Sequence, residues 1–157
     1  MPLHKQINWR IPPLIKIFEA LGAVADGRVE IINDFQAKVR SSSGNKVYDV
    51  IFNPDTRELS VNDNASYYQG YVGYPALAFL MFKGLLPFDE KLSNKLKGIH
   101  WKQLNQDNKN DFNKTVAHLY TLTSRRELEA YAQTVLDALT TLKLQRPTII
   151  PKPPNGW

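Results

Sequence analysis

Apolar side chains change their spacing along this chain, and the change separates two kinds of structure. Over residues 11–25, Ile11, Leu14, Ile15, Phe18, Leu21 and Ala25 recur at the period of one helix face. Pro12 and Pro13 suit a first turn, where a missing N–H needs no partner, and Asp26-Gly27 supplies the stop. The period then shortens to two. Residues 28–32 and 35–40 alternate around Asn33-Asp34, a pair that tolerates the backbone of a tight hairpin. Residues 46–52 are rich in β-branched and aromatic side chains, Asn53-Pro54-Asp55-Thr56 is turn chemistry, and residues 57–61 alternate again. Four short strands in succession predict an antiparallel meander.

Beyond Asn62-Asp63-Asn64 the pattern becomes helical. Residues 75–86 are apolar all round, which predicts a helix buried on several sides. Residues 87–97 read as a short charged helix with Pro87 near its start and Gly98 as its stop. Phe112, Val116, Leu119 and Tyr120 share a face of a helix beginning near Asp107. Ser124-Arg125-Arg126-Glu127 fits a capping box, and Leu128, Tyr131, Val135, Ala138, Leu139 and Leu142 follow at helical spacing through residue 143. Residues 145–157 hold four prolines and are expected to run extended over the surface or to be mobile. The prediction is one α+β domain over residues 1–144, with a proline-rich tail over 145–157. It comprises an N-terminal helix, a four-stranded antiparallel meander and a C-terminal part of four to five helices.

Composition sharpens this picture by exclusion. A chain of 157 residues, 43% hydrophobic and 22% charged, has enough apolar surface to build a core without staples. It has no cysteine, which removes disulfides, thiolate nucleophiles and zinc–thiolate or iron–sulfur sites. The first six residues lack the apolar region of a secretory signal, and the longest nearly apolar run, 74–82, is too short to span a bilayer. A cytoplasmic location without membrane contact is the expectation. The net charge of +5 suggests nucleic acid only if it is concentrated. Residues 1–62 carry eight basic and seven acidic side chains, 63–106 five and three, and 107–157 seven and five. Charge spread so evenly marks a solvated surface.

Asn62, Asp63, Asn64, Tyr67, Tyr68, Tyr71 and Tyr74 make the densest polar and aromatic stretch and include four of the seven tyrosines. In a helix, Tyr67, Tyr71 and Tyr74 would share a face, while Gly70 and Gly73 would admit another backbone or a ligand. Such a stripe lines a binding surface or packs the helical half onto the sheet. His100 and Trp101 lie among Lys95, Lys97 and Lys102, a setting for a phosphate-bearing ligand or for a solvated helix end. Lys38 and Arg40 align with Gln36 on the polar side of a strand, where a nucleic-acid face would need interleaved aromatics; Tyr48 is the available one.

Asp49 interrupts an apolar strand, so it is either a desolvated acid or base or a hydrogen-bonded rim residue. Asp107-Asn108-Lys109-Asn110-Asp111 fails as a calcium loop, because Lys109, Phe112 and His118 fall on its third, sixth and twelfth positions. His4, His100 and His118 lack paired ligand spacing, and no nucleotide, kinase or nucleophile-elbow motif occurs. No metal and no cofactor are therefore expected. The leading expectation is a small non-catalytic binding or protein-interaction domain, with a protein partner or a second copy of itself, that works through residues 62–74. The alternatives are nucleic-acid binding through Lys38, Arg40 and the lysines near Trp101, and a small enzyme using Asp49, Asp63 or His100.

Overall fold

The computed structural model describes residues 7–154. The predicted meander is present as β2 (Val29–Asn33), β3 (Gln36–Arg40), β4 (Val47–Asn53) and β5 (Glu58–Val61), each antiparallel to the next. It is part of a larger sheet. β1 (Ile7–Asn8) and β6 (Gln145–Arg146) bring the count to six, in the order β1-β6-β5-β4-β3-β2. β6 runs parallel to β5 and antiparallel to β1. The prediction of four strands is corrected for a physical reason: the open edge of β5 presents unpaired backbone groups, β6 pairs with it, and β1 in turn pairs with β6. Two-residue strands are too short to show alternation in a sequence.

The N-terminal helix α1 spans Leu14–Ala25 and starts later than its apolar period suggests. A residue before proline is pushed out of the helical region, so Ile11 and Pro12 stay extended and Pro13 becomes the N-cap. After the meander come a π-helical turn (Ala65–Gln69) and α2 (Tyr74–Phe82). α3 (Glu90–Lys95) starts at Asp89, whose carboxylate accepts from the Leu92 N–H at 3.0 Å; Pro87 lies before it. α4 (Trp101–Asp107) has no counterpart among the predicted helices. It moves the start of α5 (Phe112–Leu119) from near Asp107 to the Asp111 cap. α6 (Arg125–Leu142) begins as predicted, with the Ser124 hydroxyl accepting from the Glu127 N–H at 3.2 Å. Among the described residues the C-terminal helices thus number five, plus the π turn.

Alternation along the strands decides which face is buried. Ala37, Val39, Tyr48, Val50, Phe52, Leu59 and Val61 point inward, while Lys38, Arg40 and Ile51 point out. The inner face meets α2, which is buried on nearly every side, as its sequence implies. α1 packs against α2 and α3, and one apolar cluster runs from the sheet to Leu128 and Val135 of α6. Polar ties cross it: the Trp9 indole N–H donates to the Leu59 carbonyl at 2.9 Å, and the Ser93 hydroxyl to that of Leu21 at 2.7 Å. No helix of the described residues is long and apolar enough to cross a membrane.

Candidate functional site

The segment from Asn62 to Tyr74 is organised by a buried hydrogen-bonded knot. Asn62, Asp63, Ser66 and Gly73 are all buried. The Ser66 hydroxyl donates to Asp63 Oδ1 and accepts from the Gly73 N–H at 2.9 Å, while the Ser66 N–H donates to Asp63 Oδ2 at 3.3 Å. A β-carbon on Gly73 would collide with the Asp63 carboxylate, so only glycine fits. Asn62 Oδ1 accepts from the Asp49 N–H at 2.8 Å and ties the same loop to β4. Burial pushes the Asp63 carboxyl above its ordinary value; the bonds from Ser66 and the nearby Lys16 charge offset only part of that.

This knot prevents the tyrosines from forming a single stripe. The π turn takes more residues per turn than an α-helix, and Gly70, at φ 74°, ends it in the left-handed region. Tyr71 then pairs with Arg10 as an isolated bridge, and a new helix starts at Tyr74. Tyr67 packs edge-on to Tyr68 at 4.9 Å, and Tyr68 is 70% exposed. Tyr74 instead turns inward and meets Tyr48 edge-on at 6.2 Å.

Tyr48 and Tyr74 belong to a polar cleft of about 400 Å³ that also takes in Asn64, Trp101 and Lys102. Its other side is Lys16 and Glu19 on α1, and the serine loop at residues 41–45 forms its rim. One turn of α1 sets Lys16 Nζ 3.4 Å from Glu19 Oε1, and the pair is enclosed, with side chains 12% and 4% exposed. Asn105, one turn beyond Trp101 on α4, donates from Nδ2 to Glu19 Oε1 at 3.3 Å. Burial alone would lower the Lys16 pKa, but the neighbouring charges, Glu19 foremost, outweigh it, so the ammonium is held charged. Burial pushes the Tyr48 phenol up to about 12 and raises those of Tyr74 and Tyr71. All three are neutral donors at physiological pH.

Two buried polar atoms of cleft residues have no partner among the described residues, Asn105 Oδ1 and Trp101 Nε1. The indole edge of Trp101 lies against Gly22, where an added β-carbon would come within 2.7 Å of Nε1. The Arg28 guanidinium carbon stands 5.8 Å from the Tyr74 ring centre. His100 is exposed in an adjoining depression of about 450 Å³ that shares Ser42 and Lys102 with the cleft.

The remaining candidates lie elsewhere. Lys38 is on the outer sheet face, opposite Glu30 and 3.3 Å from Asp49, so its charge is compensated on both sides. Asp49 is thus a half-exposed rim residue, and Tyr48 points away from this face. Arg40 is exposed on the same face; Lys95 and Lys97 are exposed at the end of α3. His118 is exposed on α5, and His4 lies outside the described residues. No cluster of three or more His, Asp or Glu that would hold a metal occurs among the described residues. Sequence reasoning missed Lys16, Glu19, Tyr48 and Asn105 as cleft residues. The available signal was two charges at i and i+3 inside an apolar helix.

Fold and site together define an α+β domain with a charged, phenol-lined cleft between α1 and α4. A family model described as "Uncharacterised conserved protein UCP014422" matches residues 9–145, and the chain belongs to that family. No curated protein and no solved structure matches it.

Proposed function

We propose that the protein is a non-catalytic binding domain that holds a small polar molecule in the cleft between α1 and α4. The enclosed Lys16–Glu19 pair is the observation that carries this reading. A buried ion pair seldom adds net stability over apolar packing, so charge retained on a core helix points to recognition. The cleft volume of about 400 Å³ suits a small ligand, and the exposed Asn64 and Lys102 at its edge offer it polar partners. Catalysis has less support, because Asp63 is committed to Ser66 and Asp49 lies outside the cleft beside Lys38. Docking of a protein through residues 62–74 also has less support, since Tyr68 is the one tyrosine there that is largely exposed.

The test is a screen of small polar fragments against the labelled protein, read by amide and indole N–H resonances. Hits that shift Trp101, Asn64 and Lys102 together, and saturate, are the expected result. A screen in which no fragment shifts them would overturn the reading.

A further inference from the structure

We propose that the end of the molecule around the serine loop is a second binding surface, for the phosphate backbone of double-stranded nucleic acid. The sequence spreads its basic residues evenly, and the fold gathers four of them here. Arg40 ends β3 as the chain enters the loop at residues 41–45. The Lys102 N–H donates to Ser42 Oγ at 3.4 Å, which sets the first turn of α4 against that loop. On the other side, the Gly98 N–H donates to Asp26 Oδ1 at 2.7 Å. Arg28, paired with Asp26, in turn donates from Nη1 to the Arg40 carbonyl at 2.8 Å. This chain of contacts carries Lys95 and Lys97, just before Gly98, to the same end of the sheet as Arg40.

Arg40, Lys95, Lys97 and Lys102 are all exposed, and none enters an ion pair among the described residues. Of the nearby carboxylates, Asp26 is already paired with Arg28, and Asp107 lies at the far end of α4. The strand neighbours of Arg40 are Val47 and Arg28, so no carboxylate stands opposite it. Lys38 differs, because Glu30 and Asp49 flank it and neutralise the sheet face. Between the loop and α4 lies the depression of about 450 Å³, lined by Ser42, Ser43, His100, Lys102, Gln103 and Gln106, none of them acidic or apolar. Hydroxyl, amide and ammonium groups of this kind contact phosphate oxygens.

The neighbouring side chains decide which polyanion fits. Trp101 is 3% exposed and Tyr48 8%, so neither ring can stack on an unpaired base. The exposed large apolar side chains all lie outside residues 40–47 and 95–107, so nothing here inserts among lipid chains. A polar, cationic surface without stacking rings or apolar wedges suits the backbone of a duplex and reads no sequence. The surface shares Ser42 and Lys102 with the cleft between α1 and α4 and does not depend on what that cleft holds.

The experiment follows the fluorescence anisotropy of a labelled mixed-sequence DNA duplex titrated with full-length protein over a salt series. The matching single strand and phosphatidylserine vesicles are titrated alongside. Saturable duplex binding is expected, tighter than to the single strand, with log Kd rising against log salt at a slope of about 3–4 for roughly four phosphate contacts. Arg40→Gln and Lys97→Gln, on opposite sides of the serine loop and outside the cleft, should each lower that slope by about 1. Lys38→Gln removes the same net charge from a compensated position and should leave the slope unchanged. No duplex binding at the lowest salt would overturn the inference. An equal fall in slope for Lys38→Gln would do so too, since it marks diffuse attraction to a basic protein. Tighter binding of the single strand, or binding of vesicles without binding of duplex, assigns the surface to another partner and rejects the duplex.

Discussion

At the scale of single residues, Ser66 shows how much one hydroxyl can hold. It gives its proton to Asp63 and takes one from the Gly73 N–H, closing the segment between β5 and α2. Ser66→Ala strips a buried carboxylate and a buried amide of a partner at once. The expected loss is about 1–3 kcal/mol, seen as a lower urea midpoint. Asp63 also makes stability depend on pH. Its folded pKa lies above the ordinary 3.8, so the folded state keeps a proton that the unfolded chain has released. Stability from this group is greatest below 3.8 and declines as pH rises through the raised folded value. Urea unfolding across acidic pH should show that decline in the parent protein and a flatter profile in Asp63→Asn. Asp63 and Tyr74 were legible in the sequence as members of a polar, aromatic cluster. That the carboxylate is locked in a knot was not, because the locking partner, Gly73, is ten residues away and acts by having no side chain.

Between the strands and helices, local signals succeeded where a single element contains its own explanation. Ser124 is such a case: the serine three residues before Glu127 opens α6 as its sequence indicates. Ser124→Ala should cost about 1 kcal/mol, measured as a lower melting temperature, with the fold retained in far-ultraviolet circular dichroism. α4 is the opposite case. Its buried residue is Trp101, and its remaining side chains are largely polar, so it shows no apolar period. It becomes a wall of the cleft because Trp101 meets the bare backbone of Gly22 and Asn105 reaches Glu19. The π turn at residues 65–69 was equally hidden, since its extra residue per turn is set by the knot and by Gly70 rather than by side-chain periodicity.

Across the whole molecule, closure of the sheet is a long-range event. β6 joins β5 through the Gln145 N–H, which donates to the Arg57 carbonyl at 2.9 Å, and the Trp9 N–H reaches Leu144 O at 3.3 Å. Removing the residues after 144 would expose the β5 edge and leave β1 without its partner strand. The expected result is a melting temperature lower by several degrees, about 2–4 °C for each kcal/mol lost, in a calorimetric scan. What the sequence by itself determined is every feature whose physics is local: the α+β class, the meander, the inward alternation of β3 to β5, the wholly apolar α2 and the cap of α6. Propensity, spacing and turn chemistry act over a few residues and are written in order along the chain. Only the tertiary structure decided the two closing strands, the turning apart of Tyr68 and Tyr74, and the gathering of Lys16, Glu19, Tyr48, Trp101 and Asn105 around one cleft. Those depend on which segments meet across spans such as the 137 positions between Asn8 and Gln145, and no short window of sequence records that.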